Sequence, residues 1–208
     1  MNKINYQKPY LGVYGFDNEI EVLATKSLAK KTVKAMKLYT SYYSEGRVKN
    51  KEIYGKYSPY LVDLEDVDID SLKSTIALEI EEKGSGAIVK ISYRQKELEQ
   101  TLATIPGRIP TTFGTITLER NPLNEMLERK ANLEATLEGD SVDDKETETL
   151  GHTLKVFINP LDKVAMSYAK SINVAPTSKT TTIASVSMND IMPERGADYI
   201  RRLVEIYN

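Results

Sequence analysis

His152 is the only histidine in a chain of 208 residues that has no cysteine. Those two facts bound the chemistry. Disulfides, thiolate nucleophiles and cysteine-based zinc sites are ruled out by the missing cysteine, and multi-histidine metal sites by the single imidazole. His152 follows Gly151 at the start of a strand pattern with no G-x-S-x-G motif or other activated nucleophile in company, so a structural or solvent-facing place is preferred to acid–base catalysis. The run "DLEDVDID" sets Asp66, Asp68 and Asp70 at alternate positions, as a calcium loop does. The turn glycine and closing glutamate of such a loop are missing, which favours a solvated strand end. Paired carboxylates for glycoside hydrolysis meet only in space, and nothing in the sequence nominates a pair. No residue is assigned a catalytic, cofactor-binding or metal-binding role.

Three further groups are candidates for binding. Gly84 and Gly86 are followed by a strand pattern, whereas a phosphate loop leads into a helix whose backbone amides converge on the anion, so a turn is their expected role. Thirteen tyrosines without a tryptophan give the chain an unusual aromatic content, and six of them fall between Tyr39 and Tyr60. Tyrosine stacks on sugar rings but also fits half-buried strands, and sheet packing is the default expectation. Lys26, Lys30, Lys31, Lys34 and Lys37 form one face of a helical stretch. The pattern suits a polyanion or membrane surface, yet a solvated face explains it more simply.

The elements that must position these residues are legible in outline. "DNEIEVLATKSLAKKTVKAMKLY" has helical periodicity, with Asp17 or Asn18 able to cap its start, Ser27 a second segment, and Ile20, Leu23, Leu28, Ala35, Met36 and Tyr39 on the buried side. "TSYYSEG", "SPYLVDLED", "STIALEIEEKGSGAIVKISYRQK" and "TTFGTITLERN" read as strands, with Lys83-Gly84-Ser85-Gly86 as a hairpin connection. "IPGRIP" and the acidic "LEGDSVDDKETETLG" read as loops, the second a mobile one. Then come a strand in "HTLKVFINP", a helix in "LDKVAMSYAKSI", an extended "NVAPT", a strand in "KTTTIASVSMND" and a closing helix opened by Pro193 and Glu194. In that helix Asp198 with Arg202 and Arg201 with Glu205 are i,i+4 pairs of opposite charge. The fold class is α+β, with a mixed or antiparallel sheet packed against helices. Residues 1–208 form one composite domain, with a β-rich middle portion, about 59–121, as a sub-lobe.

A formal net charge of −2 and 28% charged residues describe an ordinary folded protein; a nucleic-acid partner, which asks for a basic excess, is not expected. No window approaches the ~20 apolar residues needed to cross a bilayer. No export signal follows Met1, which suggests a cytoplasmic product or an excised piece.

Two blocks carry a resemblance. "NEIEVLATKSLAKKTVKAMKLYTSYYSEGRVKNKEIYGKYSPYLV" is similar to the opening of the periplasmic region of large polysaccharide tyrosine autokinases. "FINPLDKVAMSYAKSINVAPTSKTTTIASVSMNDIMPERGADYIRRLVEIYN" resembles the end of that region, where a proline-opened helix leads into a long coiled coil. The family is the chain-length determinant, or polysaccharide co-polymerase, family. The resemblance implies a non-catalytic periplasmic domain of an inner-membrane protein, bracketed by two transmembrane helices and self-associating in the full-length protein. It also implies partners in the polysaccharide polymerase and export machinery, a role in the length and export of capsular or exopolysaccharide, and a closing helix truncated within a longer one. The chain has none of the Walker-type or tyrosine-cluster sequences of the family's kinase domain. A carbohydrate-binding module on the Tyr39 to Tyr60 segment and a carboxylate-using glycan enzyme are the alternatives.

Overall fold

The computed structural model describes residues 2–7, 13–46, 49–137, 153–178 and 183–208. In chain order, β1 (Asn2–Gln7), α1 (Val13–Leu23) and α2 (Lys26–Ala35) precede β2 (Thr40–Ser44), β3 (Lys51–Ile53), β4 (Tyr60–Glu65), β5 (Ile76–Lys83) and β6 (Gly86–Tyr93). Next come β7 (Lys96–Leu102), β8 (Gly107–Thr111), β9 (Gly114–Arg120), α3 (Pro122–Leu137) and β10 (Thr153–Ile158). The chain closes with α4 (Leu161–Ser171), β11 (Ile172–Pro176), β12 (Ile183–Met188) and α5 (Pro193–Tyr207). All named strands pair antiparallel, which gives the α+β class expected from the sequence. The chain divides into two compact units, Met1–Tyr39 with Pro160–Asn208, and Thr40–Asn159. The β-rich stretch 59–121 falls inside the second, which β2, β3, α3 and β10 complete.

In the first unit, β12 lies between β1 and β11, and α2 packs on α4 and α5. The helices are amphipathic, and their apolar stripes bury Leu28, Ala29 and Val33 from α2, Leu161 and Ala165 from α4, and Tyr199, Ile200 and Leu203 from α5. Ala35 is exposed and Met36 half-buried, so the core face of α2 is rotated from the one read off the sequence. The expected caps also move. α1 begins at Val13, which places Asp17 and Asn18 inside it. Thr25, not Ser27, caps α2: its Oγ1 accepts from the Leu28 N–H at 3.3 Å and donates to the Val22 carbonyl at 2.8 Å, joining the end of one helix to the start of the next. On α5 the charged pairs are i,i+3, with Arg201 on Asp198 at 2.7 Å and Arg202 on Glu205 at 2.9 Å, in place of the expected i,i+4 pairs. Both spacings are neighbours on a helix surface, and rotamers decide between them.

The second unit holds a six-stranded sheet in the order β3-β2-β10-β5-β6-β7 and a three-stranded sheet β4-β9-β8. Alternation along β5 and β6 buries Ile76, Leu78 and Ile80 with Val89 and Ile91. Gly84 and Ser85 connect these strands, in the register Lys83 opposite Gly86. Gly84 has a φ of +62°, and a side chain on Gly86 would collide with the Leu102 carbonyl, so each glycine has its own steric reason. "IPGRIP", expected as a loop, contributes β8: the strand sits at a sheet edge, where Pro110 lacks an N–H at no cost to the ladder. Two elements escape the periodic reading. The side chains of β7 are exposed or half-buried along its length, so it lacks apolar alternation, and α3 keeps few of its apolar residues inside.

The β6–β7 turn is strained. Arg94 and Gln95 have φ of 46° and 65°, the left-handed pair of a two-residue hairpin turn that asparagine and glycine fill best. Replacing Arg94-Gln95 by Asn-Gly is expected to stabilise the unit by about 1 kcal/mol, net of the lost Arg94 contact with the Tyr93 ring. A rise in the thermal midpoint checks this, and a fall would show that the Arg94 contact outweighs the strain.

Candidate functional site

Of the described residues singled out in the sequence, the α2 lysines belong to the first unit, and Asp66, Asp68, Asp70, Gly84, Gly86 and the tyrosines from Tyr42 to Tyr60 to the second. His152 lies outside the described residues, as does the acidic segment 138–151. Asp66 accepts from the Thr115 hydroxyl at 2.8 Å, and Asp68 accepts from the Asp70 N–H at 3.1 Å to cap a short 3₁₀ turn over Ile69–Ser71. These aspartates are thus turn-formers after β4. Among the described residues, no group of three or more acidic or histidine side chains is placed to hold a metal ion. Of the lysines on α2, Lys26 and Lys30 reach Asp162 at 3.3 and 3.1 Å. Their hydrogen bonds hold that carboxyl below its ordinary range.

Most tyrosines between Tyr39 and Tyr60 serve packing. Tyr39 and Tyr60 are buried, and Tyr42, Tyr43 and Tyr54 are half-buried. Tyr43 meets Phe157 edge-on with ring centroids 5.6 Å apart. The Tyr42 hydroxyl accepts from the Val62 N–H at 3.0 Å and donates to the Val62 carbonyl at 3.4 Å, tying β2 to β4. A sugar needs an open ring face. In this segment only Tyr57 has an exposed ring, with the Lys56 ammonium 5.2 Å from its centre.

One electrostatic cluster joins β5 to β4 and β9. Arg120 donates to Glu82 at 2.8 Å, and its guanidinium carbon stands 5.8 Å from the centre of the Tyr60 ring. Burial pushes the Glu82 carboxyl up, but the Arg120 guanidinium and the Tyr60 hydroxyl outweigh it and hold the acid below its ordinary value. The same contact with Glu82 keeps Arg120 more firmly protonated. Tyr60 is pushed well above the usual phenol range, first by burial and then by Glu82. Its hydroxyl is buried without a well-formed hydrogen bond of its own. A general acid for sugar cleavage needs a carboxyl raised toward neutrality, and Glu82 and Asp162 are both moved down, which suits neither of them to that role. With Arg120 and Glu82 each over a third exposed, the pair is worth ~0–1 kcal/mol and serves as a tie between sheets. Sequence reading could not find it, because its members are 38 positions apart.

A scan of the chain against protein-family models finds no match, and a search of curated proteins finds none.

The buried phenols predict an alkaline limit. Burial pushes Tyr42 up from 10.0 to about 12, and Tyr60 and Tyr199 move in the same direction. A group whose folded value is raised contributes stability that is complete below its unfolded value and lost as pH rises through the folded one. Tyr42 alone therefore withdraws about 2–3 kcal/mol between pH 10 and about 12. Urea titrations in that window should show stability falling with pH, with a shallower fall for Tyr42→Phe. Equal slopes would contradict the assignment.

Proposed function

We propose that this chain is a non-catalytic periplasmic domain of an inner-membrane protein that regulates the length and export of a capsular or extracellular polysaccharide. On this reading the domain self-associates in the full-length protein and positions the polysaccharide polymerase, the export machinery and the growing glycan. Chain length then reflects assembly geometry, and bond making belongs to the partner enzyme.

The observation that carries the reading is the meeting of the two resembling blocks. α2 and the end of α1 come from the first, α4, β11, β12 and α5 from the second, and they fold into one unit, while the rest of the first block, from Thr40, joins the intervening chain in the other. The first and last elements, β1 and α5, are neighbours, which suits a segment bracketed by two membrane spans. Among the described residues no helix is long and apolar enough to cross a membrane. Protease protection tests the placement. In cells expressing the full reading frame, the domain should be cleaved once the outer membrane is permeabilised and the inner membrane left intact. Protection until the inner membrane is broken would place it in the cytoplasm and end the proposal.

A further inference from the structure

α3 projects from its unit with an uncovered apolar stripe. Its first turn is anchored, with Asn124 buried and Leu127 half-buried, but every residue from Glu128 through Glu134 is exposed. A helix this short is marginal in water without tertiary packing. Leu123, Met126 and Leu133 are 57%, 66% and 60% exposed, although all three are large and apolar.

Their spacing is that of a coiled-coil seam. With Leu123 at position a, Met126 falls at d, Lys130 at the next a and Leu133 at the next d, and the sequence continues the pattern to Leu137. A single lysine at an a position lowers stability while fixing register and strand number. The flanking charges complement a second copy. Arg129 falls at g and Glu134 at the following e, and in a parallel, in-register pair each g residue faces the e residue five positions further along the other helix. Arg129 of each chain thus meets Glu134 of the other, twice over by symmetry. Glu134 already accepts a loose contact from Lys130 of its own helix at 3.7 Å, with both side chains largely exposed, and it has oxygen lone pairs free for a second donor. An antiparallel pair would set e against e and g against g, and would lose both attractions. The ionic groups of the helix, Glu125, Glu128, Arg129, Lys130 and Glu134, carry no basic excess, which disfavours a lipid surface or nucleic acid as the covering partner.

We infer that α3 pairs with α3 of a second copy of this chain as a parallel, in-register two-stranded coiled coil. The inference stands on α3 alone, and holds whether or not the polysaccharide reading does.

The absence of native cysteine makes the test direct. Met126→Cys and Leu133→Cys, made singly in the 208-residue chain and treated with oxidised glutathione, should each cross-link to themselves, because a d residue faces its own copy only in the parallel, in-register pair. Sedimentation of the unmodified chain up to about 1 mM should show a monomer–dimer equilibrium. Leu133→Glu should abolish it with the thermal midpoint of the monomer unchanged, since that side chain is exposed there. Arg129→Glu and Glu134→Arg should each weaken dimerisation about tenfold, and the double reversal should recover most of the loss. A chain that stays monomeric, a dimer indifferent to Leu133→Glu, failure of both cysteine variants to cross-link, or a double reversal no better than the singles would each overturn the inference. So would α3-dependent flotation with lipid vesicles in place of dimerisation.

Discussion

Arg195→Ala is expected to destabilise the first unit by about 3 kcal/mol, in the range found when one partner of a buried ion pair is removed. Arg195 grips Asp190 with two parallel bonds, Nη2 to Oδ1 at 2.7 Å and Nε to Oδ2 at 2.9 Å. The Asp190 side chain is only 5% exposed and that of Arg195 16%, so solvent screens the contact little. Asp190 Oδ1 also accepts from the Met192 N–H at 2.8 Å, which fixes the entry to α5 just before Pro193. Truncating the arginine leaves a buried carboxylate with one backbone donor. Arg195→Lys should recover less than half, because a single ammonium cannot reproduce the fork. Asp190→Asn keeps an acceptor for Met192 and removes the stranded charge, so it should cost less than Arg195→Ala. Urea unfolding measures all three; a loss below about 1 kcal/mol for Arg195→Ala would mean that the pair behaves as a solvated surface contact.

Asn121→Ala is expected to cost the second unit about 2–3 kcal/mol, from a lost helix cap of ~1 kcal/mol together with two stranded carbonyls. Asn121 is 2% exposed. Its Oδ1 accepts from the Leu123 N–H at 3.1 Å, and its Nδ2 donates to the Gly55 carbonyl at 2.9 Å and the Ser58 carbonyl at 2.7 Å. One side chain thus caps α3 and clamps the turn over Gly55–Tyr57, which Asn124 also holds by donating to the Lys56 carbonyl at 3.0 Å. Asn121→Asp separates the two duties. It keeps the cap but turns a carboxylate on two carbonyl oxygens, and should be at least as harmful as alanine. If Asp were tolerated better than Ala, the cap would carry most of the stabilisation and the clamp little of it. Hydrogen exchange at Leu123 should quicken in Asn121→Ala, which loses the cap, and less in Asn121→Asp, which keeps it.

Where side-chain periodicity and turn chemistry agree, the elements could be read before the fold was known. Lys83-Gly84-Ser85-Gly86 combines a glycine turn with alternating apolar residues on either side, and it forms the expected hairpin, with Lys83 opposite Gly86. Pro193 and Glu194 open α5 where the dipole and the missing proline N–H suit them. The misses share a cause. β7 and β8 are edge strands, and β7 in particular buries little, so its sequence is not constrained to alternate. α3 escapes a search for buried stripes because Leu123, Met126 and Leu133 are exposed, although Asn121-Pro122, a cap followed by a first-turn proline, marks its start. The Glu82–Arg120 tie and the Tyr42 bond to Val62 were illegible because they depend on strands brought together from distant sequence. Asp190 and Arg195 lie close in the chain, yet their burial, which gives the pair its energetic weight, has no signature in residue type.

The measurement that bears most directly on the central claim is the length distribution of the polysaccharide made by cells carrying the full-length gene, compared with cells in which residues 1–208 are deleted in frame. Polymer from each, separated by size on a gel, should show a clear modal length in the first and a shifted or broadened distribution in the second, with the repeat unit chemically unchanged. An identical distribution at equal surface yield would contradict the account, and an altered repeat unit would point to an enzyme acting on the glycan.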